Sequence, residues 1–148
     1  MAKTTTYLKD YTPPPFLVQT IDLRIDLSPE DTIVESELLC RSNSAFPHRN
    51  PVFELNGEDL ILEQIFLNGE PLSPAEYSLQ DGLLCIPTTP KSPFRVKTRV
   101  RINPSANTEL EGLYLSAGNY CTQCEAEGFR KITFFPDRPD VMAVFTTT

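Results

Sequence analysis

Residues 94–103, FRVKTRVRIN, alternate strictly between apolar or small side chains and basic ones, and this period of two constrains the fold more than any other stretch. Successive side chains of a β-strand point to opposite faces of a sheet, so the pattern predicts a half-buried strand. Its buried face comprises Phe94, Val96, Thr98, Val100 and Ile102, and its other face comprises Arg95, Lys97, Arg99 and Arg101. Because a run of charges is usually a solvated face, we expect the basic residues to face water.

Two earlier segments predict strands of the same kind. In TIDLRIDLS, residues 20–28, the apolar positions of one face are Ile21, Leu23, Ile25 and Leu27. DTIVESELLCRS, residues 31–42, follows after SPED, which is rich in turn-forming residues. We therefore predict that these two strands pair through a turn at residues 28–31.

Turn signals recur about every ten residues through the rest of the chain. Residues 41–51 predict a loop, and Asn56-Gly57 and Asn68-Gly69 predict tight turns around two short strands within residues 52–72. Asp81-Gly82 predicts a hairpin within residues 77–87. Together with the 14 prolines, this spacing predicts an all-β fold, a sandwich or strongly bent sheet of mostly antiparallel strands. A length of 148 residues suits a single domain over residues 1–148.

The last residues predict one exception to the strands. Asp137 can cap a helix that has Pro139 in its first turn and Asp140 at its third position, so we expect at most a short helix near residues 138–145. The chain then stops in VFTTT, a β-prone run without a polar tail. We expect from this abrupt end that the chain is a fragment of a longer protein.

Composition excludes several classes of partner. The net charge of −7 argues against nucleic acid, because phosphate binding depends on Lys and Arg. No apolar run approaches the roughly 20 residues of a membrane span, and the N-terminus lacks the apolar core of a secretory signal. A cytoplasmic location follows by default.

Cys121 and Cys124 form a CxxC, but the sequence offers no further metal ligands at a matching spacing. A structural zinc site needs two more ligands, and the chain has neither a second CxxC nor a pair of histidines, since His48 is its only histidine. A thioredoxin-like role would require a βαβ context, which the β-rich surroundings do not provide. We predict no metal site, and the sequence leaves open whether the two cysteines form a disulfide. Cys40 and Cys85 lie in apolar strands and are predicted to be buried.

Gln123 and Glu125 are candidates for binding. In an extended segment, residues two apart point to the same face, so an anionic acceptor would lie beside a neutral amide. Such a pair suits a cation that also donates hydrogen bonds, for example a free ammonium group. The alternative is an ordinary glutamate on a surface loop. No catalytic triad or nucleotide-binding motif accompanies the pair.

Residues 107–147 resemble the end of the N-terminal domain of bacterial aminopeptidases N, which are zinc metallopeptidases of the gluzincin type. That family has a Thr-Gln-x-Glu element, an Arg five residues after the Glu, and an Asp-x-Pro beyond. The matching residues here are Thr122, Gln123, Glu125, Arg130, Asp137 and Pro139. Residues 55–72 and 102–114 also look like the bacterial branch, so the resemblance covers most of the chain.

The resemblance implies a saddle-shaped β-sandwich that rests on a thermolysin-like catalytic domain. By the same resemblance, Glu125 helps to bind the α-ammonium of a peptide substrate, and Gln123 lines the pocket for its first side chain. Arg130 and Asp137 are expected to pair. An exposed apolar patch is expected beside residues 120–128, where the catalytic domain would dock.

The sequence departs from the family in what it lacks. The His-Glu-x-x-His zinc motif, the Gly-x-Met-Glu-Asn motif and the tyrosine that stabilises the transition state are all missing. The resemblance therefore implies a zinc hydrolase as the parent protein, with no zinc bound and no activity in this chain alone. Two other interpretations remain, a stand-alone β-sandwich interaction module without catalysis and a small CxxC metal-binding protein.

Overall fold

The computed structural model describes residues 7–48, 51–87 and 93–148, and within these ranges the strands form three β-sheets. The strands are β1 (Phe16–Asp26), β2 (Thr32–Ser42), β3 (Phe53–Asn56), β4 (Ile61–Leu67), β5 (Glu70–Pro71), β6 (Ser78–Gln80), β7 (Leu83–Ile86), β8 (Phe94–Ile102), β9 (Gly112–Ser116), β10 (Asn119–Gln123) and β11 (Val144–Thr147). The helices of the described ranges are short 3₁₀ turns, Leu8–Asp10 and Phe129–Lys131. None of them has the length and hydropathy of a membrane span. The all-β prediction is confirmed.

The largest sheet has the strand order β11-β1-β2-β8-β4-β5. The predicted pairing of the first two strands is confirmed, because β1 and β2 run antiparallel with Ile21 opposite Leu38. β11 is the exception to the antiparallel pattern and lies parallel to β1. The smaller sheets are β3-β7-β6 and the hairpin β9-β10.

A bulge in β1 changes which residues face the core. The register with β2 shifts between Val18 and Thr20, so Phe16 and Val18 point inward before the bulge and Ile21 and Leu23 point inward after it. Leu27 was predicted to share this apolar face, but it lies beyond the end of the strand and is exposed. The strand also begins earlier than the alternation in residues 20–28 predicts.

Three phenylalanines join the large sheet to the β3-β7-β6 sheet. Phe16, Phe53 and Phe94 lie on three different strands, and their rings meet edge-to-face at centroid distances of 5.2–5.7 Å. Leu55 and Leu84 are fully buried in the same core. Edge-to-face contacts of this kind add about 0.5–1.5 kcal/mol per pair to the burial of apolar area. The two sheets therefore pack as a sandwich.

Three buried hydroxyl groups form a chain of hydrogen bonds within this core. Ser36 and Thr98 are buried on neighbouring strands, and their Oγ and Oγ1 atoms are 2.9 Å apart. The Thr133 hydroxyl donates to Ser36 Oγ at 2.9 Å. Because buried polar groups need partners, these three residues tie the segment after β10 to the centre of the large sheet.

Two of the three predicted tight turns have the expected geometry. Asn68 and Gly69 between β4 and β5 both have positive φ angles, 52° and 88°, as a tight hairpin turn requires. Asp81 and Gly82 do the same between β6 and β7, with 50° and 75°. Gly57 is different, because β3 and β4 belong to different sheets. A Cβ atom there would lie 2.2 Å from the Phe134 ring, so this glycine permits close packing.

The basic side chains of β8 lie on the solvent-facing side of the strand, as predicted, and they also pair with acids of neighbouring segments. The alternation itself is confirmed, with five buried side chains on the other face. The ion pairs are Arg95–Glu37, Lys97–Glu35, Arg99–Glu35, Arg99–Glu63, Arg101–Glu63 and Arg101–Asp31. A shift of register in β4 between Leu62 and Gln64 accompanies the position of Glu63 between two arginines.

The short helix expected near residues 138–145 is not formed. Residues 139–140 make a turn, and β11 begins at Val144. Asp137 does not cap a helix, because its carboxylate accepts hydrogen bonds from Arg130 instead. The interaction with a residue earlier in the chain therefore prevails over the local capping pattern.

Candidate functional site

The candidate site begins with a hairpin that pairs with no other sheet in the described ranges. β9 and β10 run antiparallel, with Leu113 opposite Thr122 and Gly112 opposite Gln123. Ala117 and Gly118 turn the chain at its tip with positive φ angles of 48° and 81°. The hairpin places Gln123 at its base, where β10 ends and a loop of residues 124–128 starts.

Close backbone contacts shape this loop. The Gly128 amide donates to the Cys124 carbonyl at 2.9 Å, which closes a tight turn. A Cβ atom at Gly128 would lie 2.3 Å from the carbonyl oxygen of Gln123. Real side chains do not approach this closely, so only glycine fits without a shift of the backbone.

Gln123 and Glu125 are both exposed at this loop, and their arrangement differs from the one predicted. The strand ends at Gln123, so the two residues do not share one face of an extended segment. The Gln123 amide instead donates from Nε2 to the backbone oxygen of Glu125 at 3.2 Å. This bond joins the two candidates. The Glu125 carboxylate has no hydrogen bond or ion pair among the described residues and is accessible to a ligand.

Arg130 and Asp137 form the predicted pair. The Asp137 carboxylate accepts from the Arg130 backbone N–H at 3.1 Å and from its Nε–H at 3.0 Å. Arg130 Nη2 also donates to the backbone oxygen of Asp137 at 3.0 Å, and Nη1 lies 3.4 Å from Glu127. Both side chains are largely buried, with 19% and 11% of their surface exposed. Arg130 thus connects the end of the loop to the segment that leads to β11.

The two cysteines of the CxxC, Cys121 and Cys124, do not form a disulfide. Cys121 lies in β10, and Cys124 lies beyond the strand and packs against the core. Burial, together with the negative charge of Asp137, raises the pKa of the Cys124 thiol. Metal binding and redox work require a thiolate, so this environment disfavours both. Of the other two, Cys40 is fully buried as predicted, whereas Cys85 is only half-buried.

Comparison with known proteins places this geometry in context. A scan against protein-family models finds no match. The chain is 46% identical over 139 residues to aminopeptidase N of Caulobacter vibrioides and 44% identical over 143 residues to aminopeptidase N of Escherichia coli. These alignments cover 94% and 95% of the chain.

The chain belongs to the aminopeptidase N family and corresponds to the N-terminal domain of those proteins.

Solved structures agree with this assignment. The structure of Legionella pneumophila aminopeptidase A in complex with aspartic acid matches 96% of the chain with a TM-score of 0.87 and 31% identity. An M1 zinc metallopeptidase from Deinococcus radiodurans matches 90% of it with a TM-score of 0.71 and 16% identity, which shows the fold alone. The chain spans 16% of each aminopeptidase N and 17% of the Legionella protein.

Lys131 of this aminopeptidase N domain is a buried charged residue whose surroundings the sequence did not predict. Its ammonium is buried, with 5% of the side chain exposed, and four carboxylates surround it. The ion-pair partners are Glu58 at 3.1 Å, Glu111 at 3.7 Å, Asp59 at 3.8 Å and Glu109, which accepts a hydrogen bond. Hydrogen bonds to Glu109 and then Glu58 raise the pKa of Lys131 well above its ordinary value, although burial opposes this. Arg130 and Lys131 stand alone as basic residues in this part of the sequence, and they show no periodic pattern that would predict a cluster of carboxylates around Lys131.

The described residues do not fit a zinc ion. Carboxylate oxygens of Glu58, Asp59 and Glu109 lie within 4.8 Å of one another, but the Lys131 ammonium already forms ion pairs with all three and occupies the position that a cation would take. Carboxylates act as zinc ligands together with imidazole or thiolate, and the one histidine, His48, lies in an exposed loop against Phe46. In the aminopeptidase N fold described here, no step of a reaction is assigned to a metal held by these residues.

Exposed apolar side chains occur in residues 142–145, and the apolar patch expected beside the loop stays a prediction. Met142, Val144 and Phe145 are 87%, 69% and 49% exposed. Phe145 packs edge-to-face on Phe129 with ring centroids 5.6 Å apart, and Phe129 directly follows residues 120–128. Val144 and Phe145 are successive residues of β11, so their side chains point to opposite faces, and Phe145 is the one that contacts the residue following the loop.

Proposed function

We propose that this chain is the substrate-recognition and scaffold domain of a zinc-dependent aminopeptidase, a hydrolase that removes N-terminal amino acids from peptides. The observation that carries the proposal is the exposed, unpaired carboxylate of Glu125 in a loop anchored at both ends. Identity of 44–46% to proteins named aminopeptidase N supports the reaction class. The peptide with a free N-terminus is the proposed partner of the loop.

The chemistry of the loop suits a peptide N-terminus. A free α-ammonium leaves water only for an anionic partner, and a charge-assisted hydrogen bond contributes about 1.5–3 kcal/mol. Glu125 supplies that anion. Gln123 supplies a neutral amide beside it, so its proposed role is to contact the first side chain of the substrate. The hydrogen bond from Gln123 Nε2 to the Glu125 backbone oxygen holds the two residues in a fixed position relative to each other.

Zinc belongs to the proposed parent protein and not to the residues of this chain. Bound elsewhere in the parent, it would supply Lewis-acid activation of the scissile carbonyl or of water. The present residues contribute by holding the substrate amine and by excluding other orientations. Binding of this kind makes the reacting carbonyl available in one position.

The scaffold role rests on the apolar side chains near the loop. Phe145, which is half exposed and packs on Phe129, would be covered by the catalytic domain, the second proposed partner. Such a contact would bring Glu125 and Gln123 to the edge of the catalytic site. The cytoplasmic location predicted from the sequence stays a prediction.

Replacement of Glu125 in the complete aminopeptidase tests the proposal. Glu125→Ala should lower kcat/KM for aminoacyl substrates roughly 10- to 150-fold, since about 1.4 kcal/mol corresponds to tenfold. Glu125→Gln keeps the shape without the charge and should lose most of the same factor. Glu70→Ala is the matched control, an exposed acid on β5 at the far edge of the large sheet. Wild-type rates in Glu125→Ala would refute the amine-binding role.

A further inference from the structure

The Lys131 ammonium joins three separate segments of the chain. Lys131 itself ends the 3₁₀ helix that follows the 124–128 loop. Glu58 and Asp59 belong to the connection after β3, whereas Glu109 and Glu111 belong to the connection that leads into β9. A backbone bond from Glu58 N–H to the Arg130 carbonyl, 2.9 Å long, reinforces the first of these junctions.

The second junction lies at the base of the hairpin that carries Gln123. Glu111 directly precedes Gly112, and Gly112 is the residue opposite Gln123 in the β9–β10 ladder. A Cβ atom at Gly112 would lie 2.6 Å from Lys131 Cβ, so the lysine stem and the hairpin base are in close contact. Within the described ranges β9 and β10 pair only with each other. The orientation of the hairpin therefore depends on contacts outside the ladder, which are those at its base and a hydrogen bond from the Leu115 N–H to the Pro104 carbonyl, 3.2 Å long.

We propose that Lys131 is a positioning residue for amine recognition, because its ammonium fixes the base of the β9–β10 hairpin against the sandwich and thereby holds Gln123 and Glu125 in place. The inference rests on the proposed function and adds a residue that touches no substrate. Lys131 acts through Glu109, Glu111 and Gly112, and its stem leaves no room for the base to shift toward it.

The charges around Lys131 explain why its loss would act locally. Four carboxylates face one ammonium, so without it they repel one another. Each carboxylate is at least half exposed, with 50–79% of its side-chain surface accessible, and can turn toward water. The segments before β9 and after β3 would then separate while the core of the sandwich stays packed. Arg130, held by Asp137, would keep the other end of the loop in place.

Hydrogen exchange in this chain tests the positioning directly. Lys131→Met keeps the length of the side chain and removes its charge. We expect the amides of the Gly112–Gln123 ladder to exchange at least about tenfold faster, which corresponds to about 1.4 kcal/mol, while amides of β2 and β8 exchange as in the wild type. Lys131→Arg should restore slow exchange. Lys97→Met is the control, a lysine whose ion pair lies on the outer face of the large sheet, and it should leave the hairpin unchanged. Unchanged hairpin exchange in Lys131→Met, or equal acceleration in hairpin and sheets, would overturn the inference.

Kinetics of the complete aminopeptidase separate this inference from the proposed function. Lys131→Met should raise KM for aminoacyl substrates severalfold with little change in kcat, and Lys131→Arg should recover most of the loss. If Glu125→Ala lowers kcat/KM but Lys131→Met does not, the amine-binding role stands and the positioning role is wrong. If neither substitution changes the kinetics, both the proposed function and the positioning role fail.

Discussion

The Asp137 carboxylate accepts two hydrogen bonds from Arg130, one from the backbone and one from the side chain. A third bond returns from the Arg130 guanidinium to the Asp137 backbone, and the Asp137 N–H donates to the Asn56 side chain at 3.1 Å. This arrangement fixes the end of the loop of residues 124–128 to both the β3 segment and the approach to β11. It uses polar groups that would be unsatisfied if either residue were removed.

Loss of either partner should destabilise the domain strongly. Arg130→Ala or Asp137→Ala leaves the remaining charge largely buried without its partner, and we expect a loss of roughly 3–5 kcal/mol in the free energy of unfolding. Denaturant unfolding of the purified chain measures this. The control is Arg24→Ala, whose ion pair with Asp26 is more than half exposed on both sides and should contribute little. A midpoint for Arg130→Ala close to that of the wild type would contradict the structural role.

Gly128→Ala should displace the loop. The new Cβ would meet the Gln123 carbonyl at 2.3 Å, and relief requires a movement of the backbone, so we expect a cost of about 1–3 kcal/mol. Unfolding of the variant by denaturant gives the value. Gly118→Ala is the comparison, because nothing lies within 4 Å of its Cβ and only its positive φ opposes the substitution. If Gly128→Ala unfolds at the wild-type midpoint, steric contact with Gln123 does not restrict the loop.

Acid should weaken the ion-pair network on the large sheet. Hydrogen bonds from Arg99 and then Lys97 lower the pKa of Glu35 below its ordinary value of 4.5. A carboxyl with a lowered folded-state pKa stabilises the fold above its unfolded-state pKa and loses that contribution as the pH falls through its folded-state pKa. Stability should therefore decrease progressively below about pH 4.5.

Glu35→Gln measures the part that Glu35 contributes. At neutral pH the variant should be less stable by about 1 kcal/mol, and its stability should fall less steeply in acid than that of the wild type. Glu37→Gln removes an acid that pairs with Arg95 and should have a smaller effect. Parallel pH profiles for wild type and Glu35→Gln would show that other groups govern the acid response.

The isolated chain should neither hydrolyse aminoacyl substrates nor bind stoichiometric zinc. The expectation follows from its donor groups, because Lys131 already forms ion pairs with the carboxylates nearest one another and burial raises the pKa of the Cys124 thiol. Hydrolysis of a chromogenic aminoacyl substrate and metal analysis of the purified chain test it. Turnover that survives purification, or one zinc per chain, would overturn it.

Local patterns predicted the features that depend on neighbours in sequence. The alternation around Val96 and Val100 identified the inner face of β8, and Asn68-Gly69 and Asp81-Gly82 identified true hairpin turns. In each case the strand period or the turn geometry requires only residues a few positions apart. The bulge in β1 reversed the inward face before Ile21, because register is set by the partner strand.

Features set by distant residues could not be predicted from patterns. The sequence after Asp137 is typical of a capped helix, yet Asp137 pairs with Arg130 instead. Its charge-assisted hydrogen bonds with the largely buried Arg130 are stronger than a helix cap would be. Asn56-Gly57 has the sequence of a hairpin turn, but Gly57 is needed because the Phe134 ring packs where a side chain would lie. Lys131 became visible only when the fold brought Glu58 and Glu109 to the same ammonium. For Gln123 and Glu125, the resemblance supplied a role that spacing alone left open.

The parallel pairing of β1 with β11 has a consequence for how the domain folds. Thr20 and Val144 come from near opposite ends of the chain, so their contact forms only after a long loop has closed. Pairings of this kind slow folding because entropy is lost before the contact forms. On a ribosome, β1 and β2 can pair long before residues 144–147 emerge. The loop of residues 124–128, which lies between β8 and β11, should therefore be among the last parts of the domain to reach its final shape.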